Sequence, residues 1–118
     1  MNTELEDELE NELRICCGAT SDSLEVIRRT LLLMKKRSDS IHADFKNDAA
    51  HNVFTEELDN LLGYKTNVGL YYIYLHHLGD LDLIEHGCGA RGSWPTKKGL
   101  EILTRLEAWA AERELKKP

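Results

Sequence analysis

The side chains best suited to chemistry in this chain are basic, and they lie close together near its end. Between residues 86 and 99 every charged side chain is basic, namely Arg91, Lys97 and Lys98. A glycine-rich run at residues 87–92 reads as a hairpin tip, and Trp94-Pro95 follows it. Cations grouped in this way suit contact with nucleic-acid phosphates, although a basic hairpin is often only a solvated surface. If these cations contact phosphates, this region is a nucleic-acid interface.

Other kinds of chemistry have little support in the sequence. Cys16, Cys17 and Cys88 are odd in number and two of them are adjacent, which is unlike a secreted disulfide framework. Adding His86 gives no C-x-x-C or H-x-x-x-H spacing, so neither a metal nor another cofactor is expected. No nucleophile lies beside a plausible base, and residues 87–92 lack the G-K-[ST] ending of a phosphate loop. We therefore do not expect an enzyme.

The net charge of −6 is distributed unevenly along the chain. Residues 1–15 hold six acids against one base and so carry −5. Residues 16–63 hold eight acids and six bases, whereas residues 64–118 hold seven acids and eight bases. Local patches decide whether a surface can meet phosphates, so the acidic start does not exclude a nucleic-acid contact elsewhere.

Length and composition predict one ordinary globular domain. The chain has 118 residues, of which 42% are hydrophobic and 31% charged. Its apolar runs are far shorter than a membrane span, so no membrane contact is expected. The acidic N-terminus lacks the basic and apolar regions of a secretory signal, which favours a cytoplasmic location.

Two helices are predicted in the first 37 residues. Leu5, Leu9 and Leu13 recur every four residues among acids, which indicates an acidic amphipathic helix within residues 1–20. A second helix begins at Asp22 or Ser23, and its apolar stripe comprises Leu24, Ile27, Leu31 and Met34. Residues 38–52 are polar and mixed, and they predict a loop with at most one helical turn.

The remaining elements follow from caps and spacing. Thr55 is a candidate N-cap, and Gly63 stands where a turn between helices needs a residue tolerant of positive φ. A helix is predicted from about Thr66 to Asp80, with Val68, Tyr71, Leu75 and Leu78 on its packing face. A short hairpin comes next. Thr96 then caps a last helix whose apolar side comprises Leu100, Leu103, Leu106 and either Trp109 or Ala110.

Residues 53–109 resemble the winged helix-turn-helix transcription regulators of the MarR, PadR and HxlR kind. The family pattern is FT..EL...LG, then L..L...GLI, then LT.KG...L. The matching positions are Phe54-Thr55, Leu58, Leu62-Gly63, Leu75, Leu78, Leu83-Ile84, Pro95-Thr96-Lys97-Lys98-Gly99 and Leu103. The chain departs from the family pattern at two points. Asp82 stands where the pattern has glycine, and the spacing from Gly63 to Leu75 is two residues longer than typical.

The resemblance implies a mainly α fold, with a three-helix core and a two-stranded β-wing at residues 21–99. Extra helices precede and follow that core, the second at residues 100–118. It also implies a homodimeric transcriptional, plasmid or phage-type regulator that binds double-stranded DNA through the helix at 66–78 and the wing at 86–94. The implied DNA-binding residues are Lys65, Thr66, Asn67, Gly69, His76, His77, His86, Arg91, Ser93, Lys97 and Lys98. The implied dimer interface comprises Leu5, Leu9, Leu13, Leu103, Leu106 and Trp109.

The helix that would read DNA also supports a different interpretation. Its groove-facing positions include Gly69, Leu70, Tyr72 and Ile73, whereas DNA-reading helices usually carry polar side chains there. An apolar side on an exposed helix is typical of contact with another protein. The alternative prediction is therefore a winged-helix adaptor that uses this tyrosine-rich helix on a protein partner.

Overall fold

Five helices and one small antiparallel strand pair make up the part of the chain that the structure describes. The structure, a computed structural model, describes residues 4–13, 21–43, 48–85 and 94–116. Ile84 lies opposite Pro95 in the strand pair, and Glu85 lies opposite Trp94. The prediction of a mainly helical chain is confirmed. The elements are α1 Glu4–Glu12, α2 Ser21–Ala43, α3 Asp48–Leu62, α4 Val68–Asp80, β1 Ile84–Glu85, β2 Trp94–Pro95 and α5 Lys97–Lys116.

All five helices contribute to one continuous hydrophobic core. The four residues of the predicted α2 stripe, from Leu24 to Met34, are buried, and so are Leu58 and Leu62 of α3. Trp109 and Tyr71 are the largest side chains that the core encloses. Among the described helices, none has the length and apolar content that crossing a bilayer requires.

The predicted loop at residues 38–52 is wrong. Helix α2 continues to Ala43, and α3 already begins at Asp48. Neither residues 38–43 of α2 nor residues 48–52 of α3 include a glycine or proline, the residues that most often end a helix. Thr55 therefore lies inside α3 and is not its N-cap. The Thr55 hydroxyl instead accepts a hydrogen bond at 3.3 Å from the guanidinium of Arg37, which is buried on α2.

A tight turn connects α3 to α4. Gly63 has a φ of +78°, which confirms the predicted left-handed conformation. Its carbonyl accepts hydrogen bonds from the backbone amides of Thr66 and Asn67. Helix α4 begins at Val68, two residues later than predicted, because Asn67 acts as its N-cap. The Asn67 side-chain oxygen accepts a hydrogen bond from the Leu70 amide at 3.1 Å.

The segment between α4 and β1 is fastened to the start of α5. Asp82 adopts a φ of +62°, and the Thr96 hydroxyl donates a 2.6 Å hydrogen bond to the Asp82 carbonyl. The same hydroxyl accepts a hydrogen bond from the Gly99 amide at 3.0 Å, which confirms Thr96 as the cap of the last helix. A Cβ placed on Gly99 would lie 2.1 Å from the Leu83 carbonyl oxygen, so α5 packs here without room for a side chain.

The terminal helices lie against each other and against the core. Leu9, Leu13, Leu103, Leu106 and Trp109 are all buried within the single chain, and Leu5 is half-buried. The apolar stripes expected to meet a second copy therefore meet other parts of the same chain. Two folded copies cannot pair through these five side chains without opening the core. Homodimer formation itself stays a prediction.

Candidate interaction surface on helix α4

Helix α4 has one packed side and one exposed side. Tyr71, Leu75 and Leu78 point into the core, as the sequence pattern predicts. Val68, predicted on the same face, is 49% exposed, because it stands in the first turn at the edge of the packed region. The opposite side of α4 carries the exposed side chains Leu70, Tyr72 and Ile73, and its composition decides what it can bind.

The exposed side of α4 is apolar at its centre. Ile73 is 66% exposed, the largest exposed fraction among the α4 hydrophobic side chains. With 3.6 residues per turn, Gly69, Ile73, His76 and Asp80 share one ridge, which we call the α4 ridge. Leu70 and Tyr72 flank the α4 ridge and are 45% and 48% exposed. The predicted apolar exposure of this helix is confirmed.

Aromatic contacts hold Tyr72 in place beside the α4 ridge. The Tyr72 ring meets the Tyr71 ring edge to face, with ring centroids 5.2 Å apart. Tyr71 in turn meets Tyr64 in the same geometry at 4.9 Å. Pairs of this kind add to the stability that burial supplies. Tyr72 on the flank of the ridge therefore has an aromatic neighbour within its own chain.

Polar groups mark both ends of α4. Lys65 and Thr66 are exposed in the turn before the helix, and the Thr66 hydroxyl donates to the Gly63 carbonyl at 3.3 Å. At the far end, His76 lies 3.5 Å from the Asp80 carboxylate. His77 is half-buried, with its Nε2 3.0 Å from the Leu13 carbonyl oxygen. His77 thus contacts Leu13, the residue after α1, instead of facing outward.

The predicted DNA-binding residues fall into two groups. Lys65, Thr66, Asn67 and Gly69 lie at the start of α4. His76 and His77 lie near the end of α4. Lys97 and Lys98 lie beside that end, because the Lys98 ammonium donates to the Leu81 carbonyl at 3.0 Å. A 13-residue helix, about 20 Å long, separates the two groups. His86, Arg91 and Ser93 lie outside the described residues.

The starts of α4 and α5 are both free of acids. Neither helix carries an acidic side chain in its first turn. Lys97 and Lys98 instead begin α5, where the positive end of the helix dipole disfavours a cation by roughly 0.3–1 kcal/mol each. The bond from Lys98 to the Leu81 carbonyl offsets part of this cost, whereas Lys97 is exposed.

Sequence reasoning missed a charged cleft of about 540 Å³ between α2 and α5. Arg28 lies between two carboxylates there, 2.5 Å from Glu25 and 3.1 Å from Glu107. The hydrogen bond from Arg28 holds the pKa of Glu25 below its ordinary value of 4.5. Arg113 lies over the Trp109 ring at 4.8 Å. The three-residue spacing of Glu25 and Arg28 indicates an ion pair within α2. The pairing of Arg28 with Glu107 depends on the fold, because the two residues are far apart in sequence.

The described residues contain no group of three or more His, Cys, Asp or Glu side chains placed to hold a metal ion. Comparison with known proteins returns no matching protein-family model, no matching curated protein and no matching solved structure. The candidate function of the chain is therefore argued from its own surfaces, of which the α4 ridge and its flanks are the most distinctive.

Proposed function

We propose that this chain is a winged-helix interaction module that binds a protein partner through the exposed side of α4. The observation that carries this proposal is the exposure of Ile73, Leu70 and Tyr72 side by side on one helix. Apolar side chains grouped on a water-facing helix typically mark a surface that another protein covers.

Several backbone features support the winged-helix part of the proposal. Three helices, a strand pair and a further helix follow one another in the order of the resembling regulators. Asp82 stands where their pattern has glycine, and its φ of +62° is a conformation that glycine favours. Thr96 and Gly99 likewise have roles that explain the T-x-x-G pattern, a cap and a close approach.

A protein partner suits α4 better than base edges do. Base edges in the major groove are read by hydrogen-bonding side chains such as Arg, Asn and Gln. Leu70 and Ile73 supply no hydrogen-bonding group, and the Asn67 oxygen already caps the helix. Burying such side chains against an apolar partner removes apolar surface from water, which favours association.

Site-specific photo-crosslinking in the cells that make the protein tests this proposal. A benzophenone amino acid replaces Tyr72, and the same group replaces Ala108 as a matched control on the exposed side of α5. We expect ultraviolet light to join residue 72, but not residue 108, to a protein partner. No protein crosslink at residue 72 would contradict the proposal.

Double-stranded DNA is a second candidate partner, bound by a homodimeric transcription regulator. The specific observation in its favour is the exposure of Lys65 and Lys97 at two helix starts that carry no acids. Phosphates suit such positions because the helix dipole and the amide groups both attract anions.

Salt dependence tests the DNA candidate. Mobility shifts with the DNA upstream of the protein's own gene should weaken steeply as salt rises. Arg91→Ala and Lys97→Ala should each reduce the slope of log affinity against log salt by about one. Lys35→Ala serves as a control, since Lys35 pairs with Asp39 on α2. No detectable binding at low salt would remove this candidate.

A further inference from the structure

The α4 ridge combines a projecting side chain with a gap one turn away. Ile73 projects, with 66% of its surface exposed. Gly69, four residues earlier on the same ridge, has no side chain, and a Cβ built there would meet only the Asn67 side-chain oxygen, at 3.5 Å. A projection and a gap on one ridge fit a copy of themselves when the two ridges run in opposite directions.

We propose that the partner of the α4 ridge is a second copy of this chain, with the two α4 helices paired antiparallel about a two-fold axis. The inference rests on the proposed function and names the partner of that surface. Each Ile73 would lie over the second copy's Gly69, so that both contacts form at once. Self-complementary contacts of this kind are what a two-fold dimer requires.

Charge favours the antiparallel direction. Lys65 stands before the first turn of α4, and Asp80 stands at its end, where its exposed carboxylate also lies 3.5 Å from His76 of the same helix. With Ile73 over Gly69, each Lys65 comes within about one turn of the second copy's Asp80, a separation that a lysine side chain can span. The helix dipoles also oppose each other favourably in this arrangement, whereas a parallel pair would bring like ends together.

The flanks of the ridge complete the proposed contact. Leu70 and Tyr72 lie on either side of Ile73, and the Tyr71 ring already restrains Tyr72. One pair of short helices covers less than the roughly 800 Å² per partner of a standard interface. The dimer is therefore weak and depends on protein concentration. The proposed dimer does not need the terminal helices at its interface, because those helices are already packed inside each copy.

Sedimentation equilibrium of the full chain across a wide concentration range tests this pairing. Wild-type protein should pass from monomer to dimer as its concentration rises. Ile73→Ala should raise the dissociation constant roughly tenfold or more, as expected at the centre of an interface. Gly69→Ala should also weaken the dimer, although alanine favours helix more than glycine does and should raise the melting temperature.

Gly69→Ala distinguishes a role in folding from a role in association, because it should stabilise the fold while it weakens the dimer. A merely structural role for Gly69 would leave the dissociation constant unchanged. Lys65→Asp and Asp80→Lys should each weaken the dimer, and the double variant should restore it, because the two charges exchange places. Lys35→Ala, on α2, should leave the dissociation constant at its wild-type value.

Different results would overturn the self-pairing of α4 and the proposed function as a protein-interaction module. A chain that stays monomeric at every concentration, or a dimer indifferent to Ile73→Ala and Gly69→Ala, overturns the self-pairing. A crosslink from residue 72 to a different protein then leaves the interaction surface intact. The absence of any crosslink at residue 72 overturns both proposals. A crosslinked species of twice the chain mass supports both.

Discussion

Asp82 occupies a backbone conformation that most side chains avoid. Its φ of +62° crowds the Cβ against the following carbonyl, and aspartate and asparagine tolerate this better than other residues do. The side chain is exposed, so a substitution there changes backbone strain with little change in packing. The carbonyl of Asp82 remains available to Thr96 whichever side chain is present.

Substitutions at Asp82 should therefore follow backbone preference. We expect Asp82→Gly to raise the free energy of unfolding by up to about 1 kcal/mol, because glycine removes the strain. Asp82→Val should lower it by about 1–2 kcal/mol, since a β-branched residue is poorly tolerated at positive φ. Urea denaturation of the two variants measures both values. Equal stability of the two variants would show that φ is not the controlling factor.

Local rules predicted single residues well wherever the neighbours in sequence decide the outcome. Gly63 at positive φ and Thr96 as a cap both follow from short-range backbone geometry. Thr55 is not a cap because α3 begins seven residues earlier, at Asp48, and only the fold brings its hydroxyl to Arg37. Val68 was misplaced because a helical wheel does not show where the packed region ends.

At the scale of elements, an ion-pair network connects α2 to α5. Arg28 bridges Glu25, three residues away on α2, and Glu107 on α5. The hydrogen bond from Arg28 lowers the pKa of Glu25, and the neighbouring Glu25 and Glu107 carboxylates raise the pKa of Arg28. The network is partly exposed, so we expect a modest contribution from it.

The lowered pKa of Glu25 predicts a dependence of stability on pH. The contribution is complete above the unfolded value of 4.5, and it is lost as pH falls through the lower folded value. Glu25→Gln should therefore flatten the decline in stability below about pH 4.5. Urea denaturation at several acidic pH values measures the slope. Glu57→Gln, exposed on α3, is the control, and an equal flattening in that variant would contradict the assignment.

Thr96 controls how α5 begins. Its hydroxyl accepts from the Gly99 amide and donates to the Asp82 carbonyl, so one oxygen joins the helix start to the preceding turn. Thr96→Ala should lower the free energy of unfolding by about 1 kcal/mol or somewhat more. Thr96→Ser keeps the hydroxyl and should lower the free energy of unfolding by much less. Thermal denaturation of the two variants measures both changes. A similar loss in both variants would mean that the methyl group matters more than the cap.

The sequence predicts four or five helices and the described residues form five, but several helix ends differ from the prediction. Apolar spacing revealed all of the long helices, because burial repeats with the helical period. The stretch at residues 38–52 lacks that spacing, yet α2 and α3 occupy most of it. Helices α2 and α3 extend into it from turns whose apolar side chains are buried in the core. That outcome depends on tertiary contact, which local sequence does not encode.

At the scale of the whole molecule, the acidic N-terminal helix belongs to the core. Leu9 and Leu13 are buried, and Arg105 of α5 forms ion pairs with Glu8 and Glu12 of α1. An apolar stripe in a sequence shows that a helix face is covered, but it does not show what covers it. The expectation of a dimer through the terminal helices arose from this ambiguity.

Leu9→Ala should therefore act on folding. We expect it to lower the free energy of unfolding by about 2–5 kcal/mol, the usual cost of such a cavity. The sedimentation mass of the folded protein should not change. Leu115→Ala is the matched control, because Leu115 is 86% exposed and its loss should change stability by less than about 0.5 kcal/mol. Loss of dimer without loss of stability in Leu9→Ala would restore the terminal-helix interface.

The close approach at Gly99 helps to set the direction of α5. Because no side chain separates the helix from the Leu83 carbonyl, the start of α5 lies directly against the base of the strand pair. Helix α5 has 20 residues and so extends about 30 Å from that point. Glu107 and Arg113 lie roughly 15 Å and 24 Å along it. The contact at Gly99 therefore contributes to where these two side chains line the charged cleft against α2.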